Sequence, residues 1–322
     1  MPTWLIDPDD PRPSMDEVYA ARERLRGIAV RTPLLPLHGS DTIWLKPELL
    51  QPTGSFKIRG IYNAVAAIGD DARSGGVSIV SSGNAAQALA WSARQFGVPA
   101  RAIVPANAPR TKIDSFVALG GKVELRDPAT VWDTFLDRSF LAEPDAFIHP
   151  TADRNVVAGY GAIALEILED MPDVEAIYVP VGGGGLVAGI ANVIAHVAPQ
   201  VRVVGVQPAA CTPIIEGVTA GKPIVTTCAT FCDGVAGTFM DPDTWSLLRD
   251  LPLEWATAEE HETEAALRQL ALRNKLIAEG SGALPVAAAL RHSQGAKSVA
   301  VVSGGSIDAE KLATIVTREA GT

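Results

Sequence analysis

Lys57 is the residue of this sequence whose surroundings most favour covalent chemistry. It stands in the segment 52-PTGSFKIRG-60, between a Pro-Thr-Gly turn signal and a run that is typical of a helix. A lone lysine is usually a solvated surface charge, but Phe56 and Ile58 on either side predict that this amine is partly desolvated. Desolvation lowers the pKa of an amine, and a neutral amine can form a Schiff base with a carbonyl compound.

Four consecutive glycines form the second chemical feature, at Gly182, Gly183, Gly184 and Gly185. Because glycine has no Cβ, several backbone N–H groups of such a loop can converge on one anion at the start of the following helix. A tight turn alone would need one or two glycines for its positive φ angles. The loop therefore predicts a phosphate site.

A dinucleotide is the competing ligand for this loop, because Gly183, Gly185 and Ala188 satisfy the GxGxxA pattern. A match to that pattern alone is weak evidence. A dinucleotide site also uses an acidic residue at the end of the next strand to bind the ribose hydroxyls. That strand ends here at Gln207, so a nicotinamide-dependent oxidoreductase is a distant alternative.

Strands and helices alternate along the chain, as a parallel sheet with flanking helices requires. Short apolar runs predict buried strands at 77–82, 100–105, 122–125, 176–181, 201–206 and 297–303. Amphipathic stretches predict helices at 85–96, 159–171, 186–198 and 259–277. Glycine stands beside hydroxyl, amide or apolar side chains in three strand-to-helix turns, 81-SSGNAAQ-87, 182-GGGGL-186 and 303-SGGSID-308. Ligands of α/β folds bind at such strand ends.

Composition excludes several classes of partner. The 322 residues include 27 basic and 37 acidic side chains, for a formal charge of −10, so we expect no binding to nucleic acid or to an anionic membrane. No apolar stretch reaches the roughly 18 residues of a membrane span, and the N-terminus lacks the pattern of a secretory signal. Three cysteines are too few for a disulfide framework. We therefore expect Cys211, Cys228 and Cys232 to be free thiols of a cytoplasmic protein.

The segments SFKIRG, SSGN, GGGGL and SGGSID, in this order, resemble the serine/threonine dehydratase and serine racemase family of pyridoxal-phosphate (PLP) enzymes. The resemblance implies an α/β protein with the tryptophan-synthase-β-like fold, in which two domains are built on open, twisted parallel sheets with flanking helices. It implies a large cofactor-binding domain of residues 1–46 and 149–322, and a small inserted domain of residues 47–148. The implied cofactor is pyridoxal 5'-phosphate.

The resemblance also implies a role for each segment. Lys57 would carry the cofactor as a Schiff base and act as acid and base at the substrate Cα, with Ser82 as the acid and base on the opposite face. The residues implied to hold the cofactor are Phe56, Lys57, Asn84, Gly182, Gly183, Gly184, Gly185, Leu186 and Ser303. Those implied to hold the substrate are Ser81, Ser82, Gly83, Ala85, Asp233 and Gly234.

Ser303 bears on the type of reaction, because the resemblance implies that its hydroxyl faces the pyridine nitrogen. A hydroxyl does not keep that nitrogen protonated as a carboxylate would. Prompt loss of a β-leaving group is then favoured over a long-lived carbanion.

No metal is expected. Gln207, Cys211 and Pro213 stand where the metal-dependent racemases that resemble this chain supply carboxylates and a carbonyl to a cation.

The sequence therefore predicts a PLP-dependent ammonia-lyase of amino-acid metabolism, which converts a small β-hydroxy amino acid such as L-threonine or L-serine to a 2-oxo acid and ammonia. The alternative is a PLP-dependent racemase of the serine or aspartate type, in which Ser82 reprotonates Cα from the face opposite Lys57. The expected partners are the small amino-acid substrate and a second copy of the chain in a homodimer.

Overall fold

Two large sheets with flanking helices and one antiparallel two-stranded sheet, residues 224–225 with 239–240, make up the described part of the protein, for which we have a computed structural model that describes residues 10–108 and 110–318. The strands in these ranges are β1 (Leu35–Pro36), β2 (Ile43–Lys46), β3 (Val77–Val80), β4 (Ala100–Pro105), β5 (Lys122–Arg126), β6 (Ala146–Phe147), β7 (Ala176–Pro180), β8 (Arg202–Pro208), β9 (Ile224–Val225), β10 (Phe239–Met240), β11 (Leu253–Ala258) and β12 (Ser298–Val301). The helices are α1 (Met15–Arg24), α2 (Lys57–Ala67), α3 (Asp70–Arg73), α4 (Asn84–Phe96), α5 (Arg110–Ala118), α6 (Asp133–Leu136), α7 (Arg154–Asp170), α8 (Gly185–Val197), α9 (Pro213–Ala220), α10 (Pro242–Leu248), α11 (Glu260–Gln269), α12 (Gly280–His292) and α13 (Ala309–Thr317).

The larger sheet has the order β1-β2-β12-β7-β8-β11, and the smaller one has the order β5-β4-β3-β6. In the described ranges β1 runs antiparallel to β2, and the other neighbouring strands of these two sheets pair in parallel. Because β7 and β12 are neighbours, the glycine loop after β7 (residues 182–185) and the serine turn after β12 (residues 303–308) leave the same edge of the larger sheet. The turn 81–83 leaves β3 of the smaller sheet.

Local sequence explains where the helices that matter for the site begin. The Asp153 carboxylate accepts hydrogen bonds from the N–H groups of Asn155 and Val156 and so caps α7. Asp241 caps α10 in the same way, and Pro242 occupies the first helical position, where a missing N–H costs nothing. Both capping side chains are buried, so these helix starts are fixed within the core.

The fold class expected from the sequence is confirmed, and each predicted strand is present as β3, β4, β5, β7, β8 or β12. Strands β2 and β11 were not predicted. β11 lies at the edge of its sheet, and Glu254 and Thr257 interrupt its apolar residues, so it has no continuous apolar run. β2 contains the buried Lys46, a residue that a pattern of apolar side chains does not capture.

No helix in the described part of the chain is both long enough and apolar enough to cross a membrane.

Candidate active site

Lys57 is the first residue of α2, and two glycines set the place of that helix against α7. A Cβ built on Gly159 would lie 2.4 Å from the carbonyl oxygen of Arg59, and one built on Gly60 would lie 2.5 Å from the Tyr160 ring. The two helices therefore cross in backbone contact, which larger side chains would prevent. This crossing fixes the position of the helix start that carries the lysine.

Arg59, two residues further along α2, anchors the helix through buried ion pairs. Its guanidinium lies 2.7 Å from carboxylate oxygens of both Glu48 and Glu166, and Lys46 Nζ lies 2.6 Å from the other oxygen of Glu166. Burial alone would raise the pKa of Glu48, but the charge and hydrogen bonds of Arg59, together with the charge of Lys46 and the hydrogen bond from Thr32, outweigh it and hold that pKa below the usual value. The network joins α2, β2 and α7 into one rigid support for Lys57.

The Lys57 amine is largely removed from water. Its Nζ donates to the carbonyl oxygen of Pro150 at 3.1 Å and lies 5.0 and 5.7 Å from the ring centroids of Phe56 and Tyr160. Burial lowers the pKa of Lys57 to about 8, although the negative charge of Glu279 opposes this shift. An amine with this pKa is partly neutral near pH 7, as Schiff-base chemistry requires.

The glycine loop, residues Gly182 to Gly185, is enclosed on its Cβ sides by other parts of the chain. A Cβ on Gly183 would lie 2.5 Å from Thr151 Cγ2, and one on Gly185 would lie 2.2 Å from the Thr151 carbonyl oxygen. Gly184 has a φ of 81° and faces Leu248 and Thr244 of α10. The loop leads into the 13-residue helix α8, so its N–H groups and the helix start are what this part of the chain offers to an anion.

Asn84 and Glu279 form a further wall of the site. The Asn84 amide donates to both carboxylate oxygens of Glu279, at 3.1 and 3.2 Å. A Cβ on Gly304 would lie 2.7 Å from Glu279 Oε1, and one on Gly234 would lie 3.2 Å from that oxygen and 2.7 Å from Ser281 Oγ. Close packing of Gly234 and Gly304 around the Glu279 carboxylate brings these three distant parts of the chain together.

Backbone contacts join these walls to one another. The Phe56 N–H donates to the Ser303 carbonyl at 2.9 Å, and Ser55 forms an isolated bridge with Gly304. A Cβ on Gly182 would lie 3.1 Å from the Gly234 carbonyl oxygen. The lysine segment, the serine turn, the glycine loop and the loop of Gly234 therefore meet at one place.

The remaining residues singled out in the sequence lie around this centre in different ways. The Ser81 Oγ accepts from the Gly83 N–H at 3.2 Å, which closes the turn that holds Ser82 ahead of α4. Ala85 and Leu186 are 4% and 5% exposed, and both belong to the hydrophobic core, so their backbone N–H groups are what they can offer to a ligand. Asp233 is exposed, with the Lys311 amine 3.9 Å from its carboxylate.

The prediction of three free thiols is wrong: Cys211 and Cys228 are joined by a disulfide, and Cys232 is the free, buried cysteine. The fold brings Cys228 to a partner 17 residues away in the chain and not to the nearer Cys232. The loop returns to β8 because the Ala229 N–H donates to the Ala210 carbonyl. Burial raises the pKa of Cys232 to about 12, so its thiol stays protonated.

Gln207 serves the protein itself at the end of β8. Its Oε1 accepts from the N–H groups of Ile214 and Ile215, and its Nε2 donates to the Val181 carbonyl. These bonds use the side chain to start α9.

Several residues of the site received no role from the sequence. Pro150, Thr151 and Tyr160 contact Lys57 or the glycine loop, and Thr244 contacts Gly183. The start signal 241-DPDT-244 could have placed a helix here, but nothing local shows which loop that helix supports.

A partly neutral lysine beside an anion-binding glycine loop, at the strand ends of an α/β fold, defines an enzyme that holds a phosphorylated aldehyde cofactor. The amine suits the aldehyde of PLP and the loop suits its phosphate, so the residues fit this cofactor. The family model described as "Pyridoxal-phosphate dependent enzyme" matches residues 25–304, and the chain belongs to that family.

Named relatives agree with this assignment. The chain is 36% identical to an L-threonine ammonia-lyase of Thermotoga maritima, over 95% of this chain and 78% of that protein. It is 34% identical to the catabolic L-threonine dehydratase of Escherichia coli K12, over 94% of this chain and 95% of that protein. The solved structure of maize serine racemase superposes with a TM-score of 0.85 and 29% identity, over 94% of this chain and 96% of that chain. The family, fold and cofactor expected from the sequence are thus confirmed.

Proposed function

We propose that this enzyme eliminates water from a small β-hydroxy amino acid, L-threonine or L-serine, and so yields a 2-oxo acid and ammonia. The observation that carries the proposal is the Lys57 amine, with a pKa of about 8, directed by the Pro150 carbonyl and joined through one turn to the glycine loop. The L-threonine ammonia-lyase and L-threonine dehydratase relatives support this reaction.

The cofactor, once bound, supplies an electron sink for charge that develops at the substrate Cα. Lys57, in its neutral form, accepts the Cα proton, and the Pro150 carbonyl 3.1 Å away orients its Nζ. The N–H groups at the start of the 13-residue helix α4, with the turn of Ser81, Ser82 and Gly83, bind the substrate carboxylate. Gly182 to Gly185 and the start of α8 hold the phosphate.

Asn84 and Ser303 face the cofactor ring in this proposal, and Phe56 packs against it. Glu279 fixes the Asn84 amide, so that the amide oxygen rather than its N–H groups remains available to the ring hydroxyl. The residue beside the ring nitrogen is then Ser303, whose hydroxyl does not keep that nitrogen protonated as a carboxylate would. This favours elimination over a long-lived carbanion. Asp233 and Gly234 line the space for the substrate side chain.

The domain boundaries are part of the proposal: residues 1–46 and 149–322 form the large domain, and residues 47–148 form the small one. Strand β2 ends at Lys46 in the larger sheet, and β6 ends at Phe147 in the smaller one, which supports these boundaries.

A homodimer completes the proposal. The exposed apolar side chains of Leu50 and Ile277, each 45% exposed, supply a surface for a second copy. Leu50 adjoins Leu49, and both Leu49 Cβ and the Ile277 carbonyl oxygen lie near Gly305, so the two side chains belong to one region of the surface. Light scattering of the purified protein should give twice the chain mass, and Leu50→Glu should lower it; a monomeric wild type would contradict this part.

The second candidate is a racemase, which the likeness to maize serine racemase favours. Racemisation needs an acid on the face of Cα opposite Lys57, and Ser82 is the residue we propose for it. Elimination from one enantiomer needs only Lys57 on the substrate Cα.

The deciding experiment incubates the PLP-loaded enzyme with L-threonine and L-serine in heavy water. We expect 2-oxo-acid release with little exchange into the opposite enantiomer, and we expect Ser82→Ala to retain part of the elimination while abolishing any racemisation. Interconversion of enantiomers without 2-oxo acid would establish the racemase instead. Lys57→Ala should lose both reactions and the borohydride-reducible link to the cofactor.

A further inference from the structure

A buried polar cluster lies close to the glycine loop, and of its members only Asp241 has been described, as the cap of α10. His149, Asp241 and Asp243 are 2%, 4% and 5% exposed, and their nitrogen and carboxylate atoms lie within 4.8 Å of one another. Arg138 Nε lies 3.2 Å from Asp243 Oδ2. The rings of Phe135 and Phe140 stand edge-on to the imidazole, with centroids 4.8 and 5.4 Å away.

Backbone hydrogen bonds fix the tautomer of His149. Its Nδ1 accepts from the N–H of Ala152 at 2.9 Å and from the N–H of Thr151 at 3.3 Å. A neutral imidazole that accepts at Nδ1 carries its proton on Nε2. This Nε2–H is buried with no hydrogen-bond partner among the described residues, and His149 belongs to the same cluster as the two carboxylates.

That tautomer makes the cluster unsuitable for a metal ion, although its residue types would suit one. A metal would need the Nε2 lone pair, which the proton occupies, or the Nδ1 lone pair, which the backbone N–H groups occupy. The guanidinium of Arg138 already faces Asp243. The imidazole therefore acts here through hydrogen bonds.

Burial, with the positive charges of Arg138 and Lys57, keeps the ring neutral by lowering the pKa of His149 to about 4, against the opposing charge of Asp241. A neutral ring can go on accepting the two N–H bonds throughout the working range of pH. A protonated ring could not, because its Nδ1 would become a donor.

The turn that His149 holds, residues 149–152, touches both ends of the active site. The Pro150 carbonyl accepts from Lys57 Nζ, and Thr151 packs its methyl group and its carbonyl oxygen against Gly183 and Gly185. The His149 side chain thus sets the geometry of both the Lys57 amine and the glycine loop.

Asp241 extends the same arrangement to the other side of the loop. Its Oδ2 accepts from the Thr244 hydroxyl at 2.8 Å, and that hydroxyl also lies 3.3 Å from the Gly183 carbonyl oxygen. A carbonyl held in this direction turns the N–H of Gly184 away from α10, because the two groups of a peptide unit point in opposite directions.

We propose that His149 is a positioning residue of this enzyme: its neutral imidazole fixes the 149–152 turn, which directs the Lys57 amine through Pro150 and shapes the glycine loop through Thr151. The inference rests on the proposed function for its effect on catalysis, and on the described contacts for its effect on cofactor geometry. It assigns a role to a residue that itself touches neither substrate nor cofactor.

The test compares three substitutions. In His149→Asn the amide oxygen can take the place of Nδ1 and accept the two N–H bonds. In His149→Gln the polar group lies further out, and in His149→Leu there is none. Each variant is checked for folding by circular dichroism and then loaded with PLP.

The first readout is the phosphorus NMR signal of bound PLP together with the dissociation constant for PLP, neither of which depends on turnover. The second is kcat and KM for L-threonine. We expect His149→Leu and His149→Gln to shift or broaden the phosphorus signal, to weaken PLP binding at least 10-fold and to lower kcat 10- to 100-fold with KM changed less than threefold. His149→Asn should restore the wild-type signal and most of kcat.

Equal behaviour of the Asn and Leu variants in folded protein would overturn the positioning role. If His149→Leu does not fold, the comparison of His149→Asn with His149→Gln decides the question alone. If the wild type turns over neither L-threonine nor L-serine while the phosphorus signal still follows the expected order, the proposed function fails and the positioning role stands.

Discussion

The amide of Asn84 donates to both carboxylate oxygens of Glu279, a residue 195 positions further along the chain. The carboxylate thereby orients the amide, and its charge also raises the pKa of Lys57 against the effect of burial. We predict that Glu279→Gln moves the pKa of Lys57 below about 8, because the opposing charge is removed. The rate at which PLP attaches to cofactor-free enzyme, followed by visible absorbance from pH 6 to 10, should show its midpoint at a lower pH than the wild type.

Asp233→Asn is the matched control, since it neutralises an exposed carboxylate that faces Lys311. Its midpoint should equal that of the wild type. A midpoint unchanged in Glu279→Gln would mean that this charge does not act on the lysine.

The buried carboxyl of Asp153 should give the free energy of unfolding an unusual dependence on pH. Burial raises the pKa of its carboxyl from 3.8 to about 7, since the two backbone N–H bonds to Asn155 and Val156 only partly offset the loss of water. A folded pKa above the unfolded value means that this group favours the folded state at low pH, and that the contribution is lost as pH rises from about 4 to about 7. The substitution Asp153→Asn keeps a capping oxygen without the charge.

We therefore expect the stability of the Asp153→Asn variant relative to wild type to increase between pH 5 and pH 8, by at most about 3 kcal/mol. Urea denaturation at several pH values measures it. Asp308→Asn, which changes an exposed cap of α13, should show no such increase. A difference that stays constant with pH would refute the buried, raised carboxyl.

Arg59 should be among the residues least tolerant of substitution. Arg59→Met leaves Glu48 fully buried without its guanidinium partner, and loss of one member of a buried charge network costs about 3–5 kcal/mol. Thermal and urea denaturation should show this loss. Arg202→Met breaks the exposed pair with Glu254 and should cost less than about 1 kcal/mol, and comparable losses in both variants would contradict the argument.

The disulfide between Cys211 and Cys228 should make stability sensitive to reductant. A closed loop of this size contributes about 3 kcal/mol by restricting the unfolded chain. A thiol-free reductant should therefore lower the melting temperature of the wild type. Cys228→Ser should start lower and show no further response, whereas Cys232→Ala, which leaves the disulfide intact, should respond as the wild type does.

Local segments made much of this protein predictable. The lysine segment, the glycine loop and the serine turns carry their chemistry within a few residues, so residue types and spacing were enough to place the lysine at a helix start and the other three segments at strand ends. Contacts between distant segments were not predictable in this way. Pro150 lies 93 residues from Lys57, and the pairing of Cys211 with Cys228 depends on how one loop returns to β8.

The unexpected buried charges have a similar explanation. Lys46, Arg59 and Glu166 read as surface residues because each is charged, and only the fold shows that they neutralise one another. The strand β2 was missed for the same reason.

The packing of Thr151 on Gly183 and Gly185 has a consequence for the history of this enzyme. A Cβ at Gly183 would collide with the side chain of Thr151 and one at Gly185 with its backbone, so residue 183 cannot become larger while Thr151 keeps its side chain. We expect homologous sequences to vary at positions 151 and 183 together, with a smaller residue at 151 wherever 183 is larger than glycine. Natural selection then acts on the turn and the loop as a single inherited unit, although 29 residues of chain, 153–181, separate them.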